Sequence, residues 1–227
     1  MATVKVVDII TRAQTLLLDT TAIRWAAVEL QYWLNDSYRE IVNLRPDANS
    51  QTSTFTCVAG YRQNLTSSIA TANRLLEVIS NKAATSIKQG VRLVTRRSLD
   101  TDRPGWYNEN GSVNTQLYIY DPRFATEFLV YPQATTSTQL EVVYNTIPTP
   151  HTLTANDLPP DSYANTEVIK ISDSYANAIL DYILYRAYTK DSDQQSNAGR
   201  AVAHFQAFQN GLGIKTQSDQ AVQPGVS

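Results

Sequence analysis

The chain has 227 residues, 42% of them apolar and 18% charged, enough to bury a substantial core in one domain or two. A formal net charge of -2 and a pI near 5.7 exclude the strongly basic face with which proteins grip nucleic acid by its phosphates. The single cysteine, Cys57, leaves no internal disulfide and suits a reducing compartment.

The first residues carry Lys5, Asp8 and Arg12 where a signal peptide would be continuously apolar, and no later run approaches the ~20 apolar residues of a membrane span. Neither targeting nor anchoring is expected. Residues 4–19 place Val6, Ile9, Ile10, Ala13, Leu16 and Leu17 at the three-and-four spacing of one helical stripe. A second helix continues the pattern with Leu30, Trp33, Leu34, Ser37 or Tyr38, Ile41 and Val42. Pro46 stops it near Leu44 by removing a donor and holding Arg45 extended, and Asp47 can hold the turn.

From Gln51 to Ile147 short runs rich in Thr, Val, Ile and Tyr alternate with turn clusters, which predicts antiparallel strands near 52–58, 75–80, 91–96, 116–120, 126–131 and 139–146. Leu117 and Ile119 alternate with Tyr118 and Tyr120, and Leu140 and Val142 with Glu141 and Val143, as a sheet with one buried face requires. A small sandwich or barrel is the expected closure. Asp102–Gly111, DRPGWYNENG, is turn chemistry around an aromatic anchor, Trp106 and Tyr107. The proline-rich stretch from Pro148 to Pro160 should cross back irregularly toward the helices.

A third helix spans Asp173–Tyr188, with Ser172 or Asp173 as N-cap and Tyr175 or Ala176, Ile179, Leu180, Ile183, Leu184 and Ala187 on one side. A fourth runs from about Ala198 to Leu212 through Ala201, Val202, Phe205 and Phe208, ended by Gly211 and Gly213. The polar remainder cannot form a core and is expected to be an extended tether.

The predicted class is therefore α+β. Two N-terminal and two C-terminal long helices form a bundle that carries an inserted antiparallel β-sandwich or barrel-like domain and ends in an extended C-terminal tail. The expected boundaries are 1–50, 51–147, 148–172, 173–212 and 213–227.

Catalytic chemistry finds little support. His151 and His204 are isolated from Cys57 and from any carboxylate pattern, so packing or surface roles are expected and no metal site. Cys57 suits a buried strand thiol better than a nucleophile. Glu29 with Asp36, and Asp191 with Asp193, match no spacing for sugar hydrolysis. No phosphate-binding glycine loop and no nucleophile elbow occurs, so no cofactor is expected. The thirteen tyrosines, Tyr182, Tyr185 and Tyr188 among them, suit a half-buried or subunit-facing surface, with core packing as the alternative for some of them, and point toward assembly and not catalysis.

Two segments carry more than generic patterning: DIITRAQTLLLD followed by RWAAVELQYWLNDSYREIVNLRPDA, and DYILYRAYTKDSDQQSNAGRAVAHFQAFQNGLGIK. With DRPGWYNENG, LYIYDPRFATEFLVYPQ and LEVVYNTIP they resemble the head-to-tail adaptors of short-tailed bacteriophages, the group that includes tail tubular protein A, over nearly the whole chain. The specific elements are Arg24–Asp36 (R-W-x-x-x-E-L-x-x-W-L-N-D), the closing R-P-D-A at Arg45–Ala48, and Tyr182–Asp191 (Y-x-L-Y-R-A-Y-x-K-D). One departure is Ala26, which stands where a capping hydroxyl or a helix-starting proline would be expected, so no capping box forms with Glu29.

The resemblance implies a virion structural protein, non-enzymatic, forming a ring typically of twelve copies beneath the portal, with the tail nozzle on its other face and DNA passing through the lumen. It implies self-association, portal and nozzle as partners, tail fibres as a further candidate, no membrane, and a place in the neck of a virion assembled in the host cytoplasm. Carried onto this chain, it makes Gly213–Ser227 the portal-docking element, with Ile214, Lys215, Val222, Pro224 and Val226 as contacts. Trp25, Leu30, Trp33, Asn35, Pro46, Tyr182, Arg186, Asp191 and Phe205 become signature or packing residues. The rival expectations are a virion-associated cell-wall hydrolase and a carbohydrate-binding module that stacks sugars on Trp106 and Tyr107.

Overall fold

The computed structural model describes residues 2–83, 88–191 and 195–222. In chain order it contains α1 (Val6–Leu16), α2 (Ala27–Leu44), β1 (Ser50–Thr56), β2 (Gly60–Asn64), β3 (Arg74–Asn81), β4 (Arg92–Leu93), α3 (Arg96–Asp102), β5 (Leu117–Tyr120), β6 (Glu127–Ala134), β7 (Gln139–Asn145), α4 (Ala176–Lys190) and α5 (Gln195–Val222). Two compact units result: Met1–Ala48 with Pro148–Ser227, and Asn49–Ile147.

In unit one, α4 is the central helix and packs against α1, α2 and α5. The apolar stripes meet in one core that includes Ile9, Ile10, Leu30, Leu34, Tyr38, Ile41, Ile179, Ile183, Ala187 and Phe208. The α4–α5 seam is aromatic: Tyr182 sets its ring edge-on to Phe208 at 5.3 Å and Tyr185 meets Phe205 at 4.9 Å. These tyrosines therefore pack inside the subunit.

The N-terminus is held by the crossing segment. Val6 N–H donates to the Glu167 carbonyl at 2.9 Å, and Ile169 N–H to the Val4 carbonyl at 3.0 Å. Of the two N-cap candidates, Ser172 takes the capping role and Asp173 does not. Its carboxylate accepts from Thr3 N–H, the Thr3 hydroxyl and Val4 N–H, while Ser172 caps the short 3₁₀ turn that leads into α4.

Two helix limits differ from expectation. α1 ends at Leu16, which is exposed, while Leu17 turns inward. The fourth long helix does not stop at the glycines: α5 stays helical through Gly211 and Gly213 to Val222, where an extended tail is expected. A glycine costs a helix about 1 kcal/mol relative to alanine, and this penalty does not terminate a helix flanked by good helix formers.

Unit two contains two sheets, β1-β7-β3 and β2-β6-β5-β4, both open, and no barrel closes among the described residues. β7 pairs antiparallel with both neighbours, from Ser50↔Asn145 to Thr56↔Gln139 on one side. β5 and β6 pair antiparallel, whereas the two-residue β4 joins β5 in parallel. One buried cluster draws on both sheets, through Phe55, Leu75, Val78, Leu140 and Val142 from the first and Tyr118, Phe128 and Val130 from the second. The alternation expected of β5 is incomplete because both its faces are covered. Tyr118 enters that cluster, and Ile119 joins a second one with Leu99, Trp106 and Tyr131.

Three local expectations change in this unit. Residues 91–96 supply only the strand Arg92–Leu93, and helix α3 follows, capped by Thr95, whose side chain accepts from Ser98 N–H at 3.2 Å. β2 is an additional strand. β6 continues past 131 to Ala134.

Candidate functional site

On α2, Gln31 and Asn35 stand four residues apart, a rise of about 6 Å, close to the span of about 6.6 Å between alternate residues of an extended chain. Each side-chain amide consequently makes two hydrogen bonds to one residue of the crossing segment. Asn35 Nδ2 donates to the His151 carbonyl at 3.0 Å while its Oδ1 accepts from His151 N–H at 2.8 Å. Gln31 repeats the arrangement with Leu153 at 3.2 and 3.1 Å. Asn35 thus acts as a strand partner for the chain that returns from unit two's sequence.

His151, expected to be an isolated packing or surface side chain, is buried at the centre of this network. Its Nδ1 lies 2.6 Å from Glu167 Oε1 and its Nε2 lies 2.8 Å from the Tyr38 hydroxyl, which also accepts from Lys170 N–H at 3.1 Å. A neutral imidazole protonated on Nδ1 satisfies every group: Nδ1–H donates to Glu167, and Tyr38 O–H donates to Nε2. Burial holds His151 below its ordinary pKa although Glu167 opposes the shift, and burial raises Tyr38 above its own. His151 is only 2% exposed, so its imidazole is not open to a substrate. The cluster locks the crossing segment to α2.

The Arg45-Pro46-Asp47 turn has a similar role. Arg45 forms a fork with Asp47, Nε to Oδ1 at 2.9 Å and Nη2 to Oδ2 at 2.6 Å, and its Nη1 donates to the Leu212 carbonyl at 3.4 Å. The end of α2 is thereby tied to α5 where the portal-docking element was placed. Arg45→Lys keeps the charge but loses the planar fork. Chemical denaturation is expected to show a loss of about 1.5–3 kcal/mol, the range for a hydrogen bond to a charged group.

Between α1 and α2 the chain turns around Asp19, whose carboxylate accepts from the N–H groups of Ile23, Arg24 and Trp25 at 3.0, 2.8 and 2.8 Å. Leu18 and Ala22 adopt left-handed φ values of 56° and 53°, sparsely used by residues other than glycine. α2 has Ala26 as an N-cap without a side-chain bond, as the sequence suggests, and Asp19 organises its entry from outside the helix. Sequence reasoning missed this role, although an aspartate ahead of two threonines is a recognisable turn signal.

The remaining signature residues are dispersed. Trp25, Leu30, Trp33 and Tyr182 are buried in the core of unit one, and Phe205 packs against it. Pro46 opens a 3₁₀ turn, and Arg186 is half-buried on α4. Asp191 pairs with Arg24 and accepts from Asn197 Nδ2 at 2.7 Å. Ile214, Lys215 and Val222 fall on the helical backbone of α5, whereas Pro224 and Val226 lie outside the described residues.

The groups weighed for catalysis are otherwise engaged. Glu29 pairs with Lys190 at 2.7 Å and Asp36 with Arg39 at 2.8 Å, and Asp193 lies outside the described residues. His204 Nδ1 lies 3.0 Å from Asp181. Trp106 is fully buried within unit two and has no exposed face on which a sugar could stack. Cys57 follows β1 instead of lying within it, and burial pushes its thiol up to about 12. It is expected to resist iodoacetamide in the folded protein at mildly alkaline pH and to react once urea unfolds unit two, as mass spectrometry would show.

A family model described as SU10 adaptor protein matches residues 4–227. No curated protein matches the chain.

Proposed function

Because the chain belongs to the SU10 adaptor protein family, matched over residues 4–227, we propose that it is a structural head-to-tail adaptor of a bacteriophage virion, working in the manner of tail tubular protein A. The full-length match carries this reading. Copies associate into a ring, twelve in number, between portal and tail nozzle, and the genome passes through the lumen without specific binding. A net charge of -2 suits that passage, because a strongly basic lumen would retain phosphates.

In this reading unit one supplies the rigid body, and the segment from Gly213 onward docks on the portal through Ile214, Lys215, Val222, Pro224 and Val226. Arg45, hydrogen-bonded to the Leu212 carbonyl, fixes the point from which that segment leaves. Assembly takes place in the host cytoplasm, without a membrane, and no helix among the described residues is long and apolar enough to cross one. Catalysis is not part of the role.

Light scattering on the purified chain, alone and mixed with its portal, tests the proposal. A portal-dependent gain in mass of many copies is expected from the full-length chain, with loss of that gain on truncation after Leu212. Absence of any association by the full-length chain would refute the adaptor reading.

A further inference from the structure

Two places in the chain read Asn-Gly, Asn110-Gly111 and Asn210-Gly211. In this dipeptide the side-chain carbonyl carbon of asparagine lies within reach of the next residue's backbone nitrogen, and closing a five-membered ring between them is an intramolecular step favoured by proximity. Glycine leaves that nitrogen unshielded, because it has no Cβ and its backbone takes conformations closed to other residues. Both asparagines are exposed, so access to water does not distinguish them. Their backbones do.

Gly211 lies within α5, where an α-helix bonds each N–H to the carbonyl four residues back. Gly111 lies in the loop after the Trp106 turn, outside any helix or strand, and its N–H makes no hydrogen bond among the described residues. The loop is pinned to β6 on both sides of it. Before it, Tyr131 O–H donates to Glu109 Oε2 at 2.7 Å, and the Gln133 side-chain amide donates to the Tyr107 carbonyl. After it, Ser112 N–H donates to the Gln133 carbonyl at 2.7 Å. Gly111 itself passes so close to the end of β6 that a Cβ added there would stand 3.2 Å from Thr135 Cγ2 and 3.5 Å from the Gln133 carbonyl oxygen. This stretch has no room for a longer backbone.

We propose that Asn110 is a site of spontaneous covalent modification in the folded protein, and that its isoaspartate product releases the Trp106–Ser112 loop from β6. The Gly111 nitrogen attacks Asn110 Cγ. The new N–Cγ bond forms as the Cγ–Nδ2 bond breaks, and ammonia leaves with the proton that the backbone nitrogen gives up. Water, the only co-reactant, then opens the ring at one of its two carbonyls. One opening gives aspartate with the backbone unchanged. The other gives isoaspartate, in which the chain runs through the side-chain carbons and is one atom longer. The first product adds a negative charge next to Glu109, while the second must also displace the contacts that hold Gly111 and Ser112 against β6.

Full-length protein is aged in mildly alkaline buffer, folded or in urea, then digested and read by mass spectrometry with fragmentation that separates isoaspartate from aspartate. In the folded chain Asn110 is expected to convert on the order of tenfold faster than Asn210 or more, because Gly211 reacts only when α5 opens locally, and in urea the two rates converge. Asn110 left intact in the folded chain while it converts in urea, or equal conversion of both asparagines in the folded chain, overturns the site. Urea unfolding of the aged protein tests the consequence. Aged wild type is expected to contain a fraction that unfolds at lower urea. That fraction is absent from aged Asn110→Gln, whose longer side chain would have to close a less favourable six-membered ring, and from fresh Asn110→Asp, which carries the charge without the added backbone atom. Aged wild type that unfolds like these two variants overturns the release of the loop. Neither readout depends on the adaptor reading.

Discussion

Trp106→Ala is expected to destabilise unit two by about 3–5 kcal/mol, the range for removing a large buried aromatic side chain. Trp106 is fully buried and stacks on Tyr107 with ring centroids 3.9 Å apart, while Tyr61 and Tyr131 meet it edge-on at 5.7 and 6.4 Å. Its indole N–H donates to Asp100 Oδ1 at 2.8 Å, which ties the turn after α3 back to that helix. The alanine variant opens a cavity among these rings and takes the short donor from Asp100. Trp106→Phe separates the two contributions: it keeps most of the packing, loses the N–H, and should cost about 1–3 kcal/mol. Near-ultraviolet circular dichroism and urea unfolding measure both. An alanine variant within about 1 kcal/mol of wild type, well below the range for removing a buried aromatic side chain, would mean that this cluster does not hold the outer face of β5.

The long helices were predictable because their apolar residues recur at helical spacing regardless of what they touch. Leu30, Leu34 and Ile41 face the core on that account. The errors fall where local signals compete with context. Gly211 and Gly213 look like a helix end, yet α5 continues past them because glycine is a weak breaker compared with proline. The opposite error occurs at Arg96–Asp102, where a strand-like start hid a short helix that Thr95 and Ser98 announce as a cap pair. β2, Gly60–Asn64, carries too little apolar residue to signal a strand and gains its place by pairing with β6.

The polar network around His151 was not predictable from spacing. Tyr38 lies 113 positions away and Glu167 16, so only tertiary structure brings them together. What the sequence did contain was Asn35 within the family pattern and Gln31 four residues before it, and a matched pair of amides on one helix face is a usable signal for a strand-like partner. The Asp19 turn was hidden for a different reason. The α1 stripe is expected to run through Leu16 and Leu17 to residue 19, whereas the helix ends at an exposed Leu16 and the chain then turns around Asp19.

The stability of unit one is expected to fall as pH drops below 6.5, and His151→Phe is expected to remove that slope. The folded state holds a neutral His151 with its pKa depressed by burial below the ordinary 6.5, so between those two values the unfolded chain binds a proton that the folded one does not. Stability is therefore greatest above 6.5 and declines toward the folded value at no more than about 1.4 kcal/mol per pH unit, levelling once both states are protonated. Asp173, held below its ordinary 3.8 by hydrogen bonds from Thr3 and Val4, acts in a separate, more acidic window. His151→Phe keeps a ring in the cavity but leaves the Tyr38 hydroxyl and Glu167 without their imidazole partner. At neutral pH it should cost about 2–4 kcal/mol as buried polar groups lose their bonds. Urea unfolding of wild type and variant across pH 6.5 reads both effects. Parallel curves for the two proteins would show that another group sets the slope, while a variant as stable as wild type would show that the crossing segment is held by Asn35 and Gln31 without the histidine.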